Sequence, residues 1–184
     1  MKKVFAFIFA ILAVFFVNIS FSGTVEAARV AIVPIQINID KVERAADFNN
    51  YYWDIMVEKF PYPEYELMDD EKVSAVLPDG ELKSYNQAAL EDLCNKIDAD
   101  IVVAMRLDDV FEESTHSRFE PAWDCNMRGE YAGYNRLTGR YYHKKIYLKD
   151  TIEEILLLKN DWQRDMFTLN LKRYIHRTVD VKAK

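Results

Sequence analysis

The sequence has few of the residues on which several protein classes depend. It contains two cysteines, three histidines and five glycines in 184 residues. Two cysteines are too few for a disulfide-rich miniprotein, and five scattered glycines exclude a collagen-like repeat. Half of the residues are hydrophobic, which excludes wholesale disorder. What is left is a globular chain long enough to bury a core without disulfides or metals.

Positive charge is also scarce relative to negative charge. Lys and Arg number 24 against 30 Asp and Glu, which gives a formal net charge of −6. No basic stripe is available to displace counterions from phosphates, so we expect no nucleic-acid partner. The same acidic balance argues against electrostatic docking to an anionic membrane surface.

Motifs that carry chemistry are missing from the sequence. There is no Gly-rich phosphate loop, no G-x-S-x-G and no H-E-x-x-H. The densest cluster of ligand-type side chains lacks the spacing of a calcium loop and is more typical of a solvated acidic rim; it consists of Asp108, Asp109, Glu112, Glu113 and His116. We therefore predict no catalytic residue, no metal site and no cofactor.

The longest apolar run lies at the N-terminus. Residues 4–17 are apolar without interruption, they follow two lysines, and Val25 and Ala27 occupy the −3 and −1 positions of a cleavage site. This pattern predicts a signal peptide, residues 1–27, and an exported mature chain, 28–184, in the periplasm or outside the cell. A retained anchor is the alternative, although the run is shorter than the roughly 20 residues that a membrane span needs. No cysteine follows the run, so no lipid anchor is expected.

The pattern of apolar residues predicts an α/β fold in one domain of 157 residues, 28–184. The expected order is β-α-β-α-α-β, followed by a β-hairpin and a long C-terminal helix. We predict a strand at 29–39 that is interrupted near Pro34, an amphipathic helix at 45–60 and a short strand at 65–68. Two capped helices follow at 69–77 and 84–97, and a buried strand at 101–110. Asp69 or Asp70 is expected to cap the first of the two short helices, and Ser84 with Gln87 the second.

The second half of the chain is less regular. Residues 111–126 are polar with scattered aromatic residues and are expected to form a loop or an irregular strand extension. Residues 127–134 and 140–148 predict a hairpin closed by Gly139, and Thr151 with Glu154 predicts the capping box of the last helix. Together these features predict a mixed sheet with the hairpin added to its parallel part.

Two alternatives stay open for the cysteines. Cys94 lies in a helical pattern and Cys125 in a strand or loop pattern. They can form one disulfide that closes a loop of about 30 residues, or they can be two buried free thiols. Their spacing matches no zinc or redox motif.

The predicted hairpin is rich in tyrosine and locally basic. A candidate interaction surface is formed by Tyr131, Tyr134, Arg136, Arg140, Tyr141 and Tyr142. Because side chains alternate along a strand, at least two of the four tyrosines are expected to be exposed; ordinary cross-strand pairing in the core is the alternative. One hairpin strand is expected to be a sheet edge, guarded by Arg140, Lys144 and Lys145.

Three local motifs resemble one known family. They are residues 30–35 with Asn38, residues 98–103, and the turn at 134–140. In this order they resemble the α/β domain found at the N-terminus of TolB and in CsgG and related envelope lipoproteins. The family's usual glycine in the third strand is Ala104 here. The resemblance implies a binding or scaffolding module of the cell envelope without catalytic activity.

Two hypotheses for function follow from the sequence. The first is an exported, non-enzymatic module that binds another envelope protein or a second copy of itself. The rival is a small ligand-binding protein or hydrolase, whose site lies where open α/β sheets place ligands, at the carboxyl ends of the strands. Its candidate residues are Asn38, Asp40, Asp108 and Asp109. A deep apolar cleft between Asn38 and Asp108 would favour the rival.

Overall fold

The structure is a computed structural model that describes residues 26–117, 120–153 and 161–179. Its elements are β1 (Ala28–Ile32), β2 (Gln36–Ile37), α1 (Ala45–Lys59), β3 (Tyr65–Leu67), α2 (Asp70–Ala75), α3 (Gln87–Ile97), β4 (Ile101–Ser117), β5 (Glu120–Asn135), β6 (Arg140–Glu153) and α4 (Trp162–Val179). A 3₁₀ turn, Pro78–Gly80, lies between α2 and α3. Most of the predicted leader, residues 1–25, lies outside the described residues. Within the described ranges, no helix is both long and apolar enough to span a membrane.

The strands form one mixed sheet in the order β3-β1-β4-β5-β6, and β2 pairs with β4 beyond the end of β1. β1 is parallel to β3 and β4, with Val30 beside Ile101 and Ile32 beside Val103. β4, β5 and β6 are antiparallel to one another. The predicted fold class, α/β with a mixed sheet, a hairpin and a long last helix, is confirmed.

Helices cover both faces of the sheet and divide the core in two. On one face, α1 and α4 pack over the sheet with Phe48, Tyr52, Phe167 and Leu171 in the core. On the other face, α2 and α3 bury a second set of side chains, which includes Val73, Leu90, Leu93 and Cys94. These faces are called the α1/α4 face and the α2/α3 face below.

Local signals in the sequence placed most element ends correctly. Pro34 lies in the gap between β1 and β2, because proline has no N–H for the sheet ladder. Asp69 caps α2, and its Oδ1 accepts a hydrogen bond from the Glu71 backbone N–H at 3.0 Å. The predicted capping box at Ser84 is wrong: Asn86 caps α3 instead, because its Oδ1 accepts from the Ala89 backbone N–H at 2.9 Å.

Of the two alternatives predicted for residues 111–126, a loop or an irregular strand extension, the structure contains the strand extension in the described residues, 111–117 and 120–126. β4 continues to Ser117 and β5 begins at Glu120, so the two strands form a long antiparallel ladder that extends beyond the parallel part of the sheet. The segment lacks the alternation of apolar and polar residues that an antiparallel strand with one covered face usually shows, so its composition did not predict a regular strand. Its strands are held by backbone bonds to each other and to β6, which the composition of the segment does not reveal.

The predicted start of the last helix is also wrong. Thr151 lies in β6, where its hydroxyl donates to Asp124 Oδ1 on β5 at 2.6 Å instead of capping a helix. Glu154, the other half of the predicted capping box, lies outside the described residues. α4 begins at Trp162, and Asp161 caps it by accepting a hydrogen bond from the Arg164 backbone N–H at 3.0 Å.

Candidate functional site

Two of the four hairpin tyrosines are core residues. Tyr131 has no exposed surface; it lies beneath α4, where its hydroxyl is 2.9 Å from Thr178 Oγ1. Tyr134 is 5% exposed and packs on the α2/α3 face. α4 approaches β5 closely because Gly133 lacks a side chain: a Cβ there would lie 2.3 Å from Thr178 Oγ1.

The other two tyrosines are partly buried. Tyr141 donates its hydroxyl hydrogen to the Tyr85 backbone oxygen at 2.6 Å. The Tyr142 ring lies 6.0 Å from the Tyr174 ring of α4. The prediction that at least two of the four tyrosines are substantially exposed is therefore wrong. The part of the hairpin next to its turn lies between α3 and α4, and the strand alternation that predicted exposure could not reveal that both faces are covered there.

Arg136 stabilises the sheet and is not free for a partner. It donates to Asp98 Oδ1 at 3.2 Å and to Asp100 Oδ1 at 2.9 Å, and Arg29 pairs with Asp98 at 2.8 Å. The Asp100 carboxylate also accepts from the Arg29 backbone N–H at 2.9 Å. These contacts tie β1, the entry to β4 and the end of β5 together. Arg140 is partly buried at the start of β6, opposite Asn135.

The pKa values of the two aspartates reflect this cluster. Burial alone raises the pKa of Asp100, but the hydrogen bonds from Arg136 and the Arg29 backbone N–H outweigh burial, and the pKa lies below its ordinary value. Hydrogen bonds from Arg29 and Arg136 lower the pKa of Asp98 as well. Both carboxylates are therefore ionised at neutral pH.

Asp100→Asn is expected to reduce the free energy of unfolding by about 2 kcal/mol at pH 7. Because the pKa of Asp100 is lower in the folded state, its contribution is present above about pH 4 and is lost as the pH falls through the folded-state value. The difference in the free energy of unfolding between wild type and variant, measured by urea titration, should therefore become smaller from pH 4 downward. Asp92→Asn, which removes an exposed pair with Lys96 on α3, is the control. A gap that is equal at pH 7 and pH 2 would contradict this role.

The rival ligand site is divided between two open depressions. Asn38 and Asp108 line one of about 370 Å³, together with Gln36, Glu81 and Arg106. Asp40 and Asp109 line another of about 280 Å³. The sheet register shifts between Leu107 and Asp109. Asn38 and Asp108 do meet, but in a polar depression instead of the deep apolar cleft that would favour the rival.

Asp108 is engaged in a charged network that the sequence did not predict. Arg106 donates to Asp108 Oδ1 at 2.6 Å and to Glu130 Oε2 at 3.1 Å, and Glu130 Oε1 lies 2.7 Å from His143 Nε2. The network crosses β4, β5 and β6, so only the sheet register brings its members together. Within the described ranges, no three His, Cys, Asp or Glu side chains are placed to hold a metal ion.

The two cysteines are free and buried on different faces of the sheet. Cys94 belongs to the core of the α2/α3 face and Cys125 to that of the α1/α4 face. Of the two alternatives, the structure contains free thiols and not the disulfide. Burial raises the pKa of each thiol to about 12, so both are protonated and unreactive at neutral pH.

The remaining candidate is the edge of the sheet. β6 is 14 residues long, about twice the length of an average strand. It pairs with β5 on one side, and in the described part of the chain no strand pairs with its other side. At the opposite edge, β3 has only three residues. A short edge strand offers few backbone groups for pairing with another chain, whereas a long edge strand presents a row of unpaired backbone groups.

The side chains of β6 differ between the two faces. On the α1/α4 face, Ile146 is 4% exposed, and Tyr142, Leu148 and Ile152 are partly buried against the core. The other face of β6 is exposed from residue 143 onward, and its middle is basic; it carries His143, Lys145, Tyr147, Lys149, Thr151 and Glu153. The sequence predicted that one of the two hairpin strands is an edge guarded by Arg140, Lys144 and Lys145, but it placed the contact surface on the tyrosines with Arg136 and Arg140.

No protein-family model and no curated protein matches this chain. Several solved structures have a broadly similar fold. The hypothetical protein CT253 from Chlamydia trachomatis is 14% identical at a TM-score of 0.43, over 83% of this chain and 94% of that one. The PelC dodecamer from Paraburkholderia phytofirmans is 8% identical at a TM-score of 0.42, over 85% of this chain and 91% of that one. Lipoprotein GNA1162 from Neisseria meningitidis is 11% identical at a TM-score of 0.38, over 80% of this chain and 97% of that one. Likeness at these TM-scores carries no argument about function, and the resemblance to TolB and CsgG stays a prediction.

Proposed function

We propose that this chain is an exported, non-enzymatic module of the cell envelope. In this proposal the leader, residues 1–27, is removed, and the mature chain binds another protein by taking an extended segment onto β6. The observation that carries the proposal is the 14-residue edge, which has a strand on one side only in the described part of the chain. Unpaired backbone N–H and C=O groups along such an edge form a template for strand addition.

Three further features support this function. The sheet that carries β6 is held between helices on both faces, so the edge is presented on a rigid support. The depressions at the ends of the parallel strands are open and polar, unlike the enclosed apolar pockets of most small-molecule sites. The resemblance to the TolB N-terminal and CsgG domains implies the same class of role.

Two proline variants test whether β6 is a free edge. Neighbouring residues in a strand point their N–H groups in opposite directions, so only one of Lys144 and Lys145 directs its N–H away from β5. Proline at that position should change the free energy of unfolding by about 1 kcal/mol or less, whereas proline at the other should cost about 3 kcal/mol. Urea unfolding of Lys144→Pro and Lys145→Pro measures the difference. Equal, large losses in both variants would mean that the edge is already paired.

The tolerated proline variant then tests partner binding. Dodecapeptides selected from a random display library on the mature chain should slow deuterium uptake within residues 140–153. They should lose affinity for the tolerated proline variant, because it lacks one outward N–H and bends the edge. Selected peptides that protect a different region, or that bind the proline variant equally well, would overturn the proposed function.

A further inference from the structure

The two faces of β6 make different demands on a strand added beside it. A residue of an added strand points to the same face as the β6 residue directly opposite. On the α1/α4 face it meets Tyr142, Ile146 and Leu148, which are packed against the core. On the other face it meets the exposed side chains of Lys145 and Lys149.

Carboxylates of the described residues leave the charges of the lysines at this edge largely unpaired. Lys145 lies opposite Glu130 in the sheet register, but both Glu130 oxygens already have partners: one lies 3.1 Å from Arg106 and the other 2.7 Å from His143. Lys149 lies 4.0 Å from Asp124, the limit of an ion pair. Within the described residues, neither Lys144 nor Lys145 takes part in an ion pair. The edge is thus locally positive on a protein whose formal net charge is −6.

An aromatic side chain interrupts the basic row. Tyr147 is 63% exposed, and the Arg128 guanidinium carbon lies 5.4 Å from the centre of its ring. This pair adds an apolar surface with a positive charge next to it, between Lys145 and Lys149. Carboxylates on the added strand would meet lysines at two of these three positions, with the Tyr147 ring between them.

We infer that β6 binds an extended segment in which apolar and acidic residues alternate, with the apolar side chains on the α1/α4 face and the carboxylates on the lysine face. This inference rests on the proposed function and names the chemistry of its partner. The apolar side also carries Arg140 at its start and Asp150 near its end, and Lys144, opposite Tyr131, favours an acidic residue beside it. A second copy of β6 is a poor occupant, since an antiparallel pair would bring the lysines of two edges together.

Three synthetic nonapeptides test the inference by fluorescence anisotropy. One alternates Val and Glu, the second alternates Val and Lys, and the third has the composition of the first arranged as Val-Val-Glu-Glu blocks. The mature chain should bind the alternating Val/Glu peptide at least tenfold more tightly than the other two. Its affinity should fall with rising salt, because the lysine contacts are exposed.

A charge-reversed variant provides the second arm. Lys145→Glu with Lys149→Glu should lose the Val/Glu peptide and gain the Val/Lys peptide, each by about tenfold. The matched control, Lys41→Glu with Lys96→Glu, makes the same change in net charge at exposed positions outside β6 and should keep the wild-type preference.

The outcomes separate this inference from the proposed function. If both alternating peptides bind equally and both are lost in the tolerated proline variant, strand addition stands and the acidic preference is wrong. If none of the three peptides binds while library peptides still protect residues 140–153, the alternating pattern is wrong. If no peptide of either kind binds β6, both proposals fail. A concentration-dependent dimer that the tolerated proline variant abolishes would overturn the inference in favour of a second copy.

Discussion

Val103→Asp is expected to eliminate the soluble folded protein. Val103 is fully buried in β4, among the side chains of the α1/α4 face, and Val102 is fully buried on the α2/α3 face. A carboxylate at either position would lie in an apolar core without a cationic side chain to pair with. An unpaired buried charge costs about 4 kcal/mol or more, which is a large fraction of the roughly 5–15 kcal/mol that stabilises a typical domain. Val102→Asp should therefore fail in the same way.

Expression yield and urea unfolding measure this effect, and α1 offers a matched control. Val57 is 61% exposed, so Val57→Asp makes the same chemical change on the surface and should alter the free energy of unfolding by less than about 1 kcal/mol. A Val103→Asp protein that unfolds at the wild-type urea concentration would mean that β4 is not the central strand of the sheet.

Gly129→Ala is expected to be the most damaging glycine-to-alanine change among the described glycines. An added Cβ at Gly129 would lie 2.2 Å from the Arg106 backbone oxygen and 3.3 Å from the Leu107 Cα. Both obstacles are backbone atoms of β4, next to the register shift between Leu107 and Asp109. No side chain can rotate away, so β4 and β5 must separate, and we expect a loss of about 3 kcal/mol.

The same substitution at two other glycines provides a comparison for the loss expected at Gly129. At Gly133 the added methyl meets Thr178 and the Tyr131 hydroxyl, which are side chains and can shift, so Gly133→Ala should be less damaging. At Gly80 nothing lies within 4 Å, and the φ of +73° leaves only the conformational penalty of about 1 kcal/mol. Thermal unfolding should rank the variants Gly129, Gly133 and Gly80 from most to least destabilised. A Gly129→Ala protein as stable as Gly80→Ala would contradict the close approach of β4 and β5.

The four tyrosines predicted as a contact surface do not form one exposed patch. Their side chains are enclosed between the sheet and the helices α3 and α4, as the buried Tyr131 and Tyr134 show. Backbone groups at the edge are available whatever the side chains do, and the side chains then select the partner. The lysines that sequence reasoning described as guards thus become, in our proposal, the selective residues.

The sequence by itself determined the elements whose signals are local. The apolar runs of β1 and β4, the helical spacing of α1 and the Asp69 cap lie within one element each, and all of them are confirmed. The order of these elements was enough to predict an α/β fold with parallel pairing. The lysines of β6 and its position at the edge of a hairpin could also be read from the sequence.

Only the tertiary structure decided which surfaces are free. Residues 111–117 and 120–126 are strand because β4 and β5 supply each other with backbone partners that no local pattern reveals. The four tyrosines are buried or partly buried because α3 and α4 lie over this part of the hairpin. The same holds for Arg136, whose aspartate partners are more than thirty residues away in the sequence. Burial and pairing of this kind depend on contacts between distant segments, and periodicity within a single segment carries no information about them.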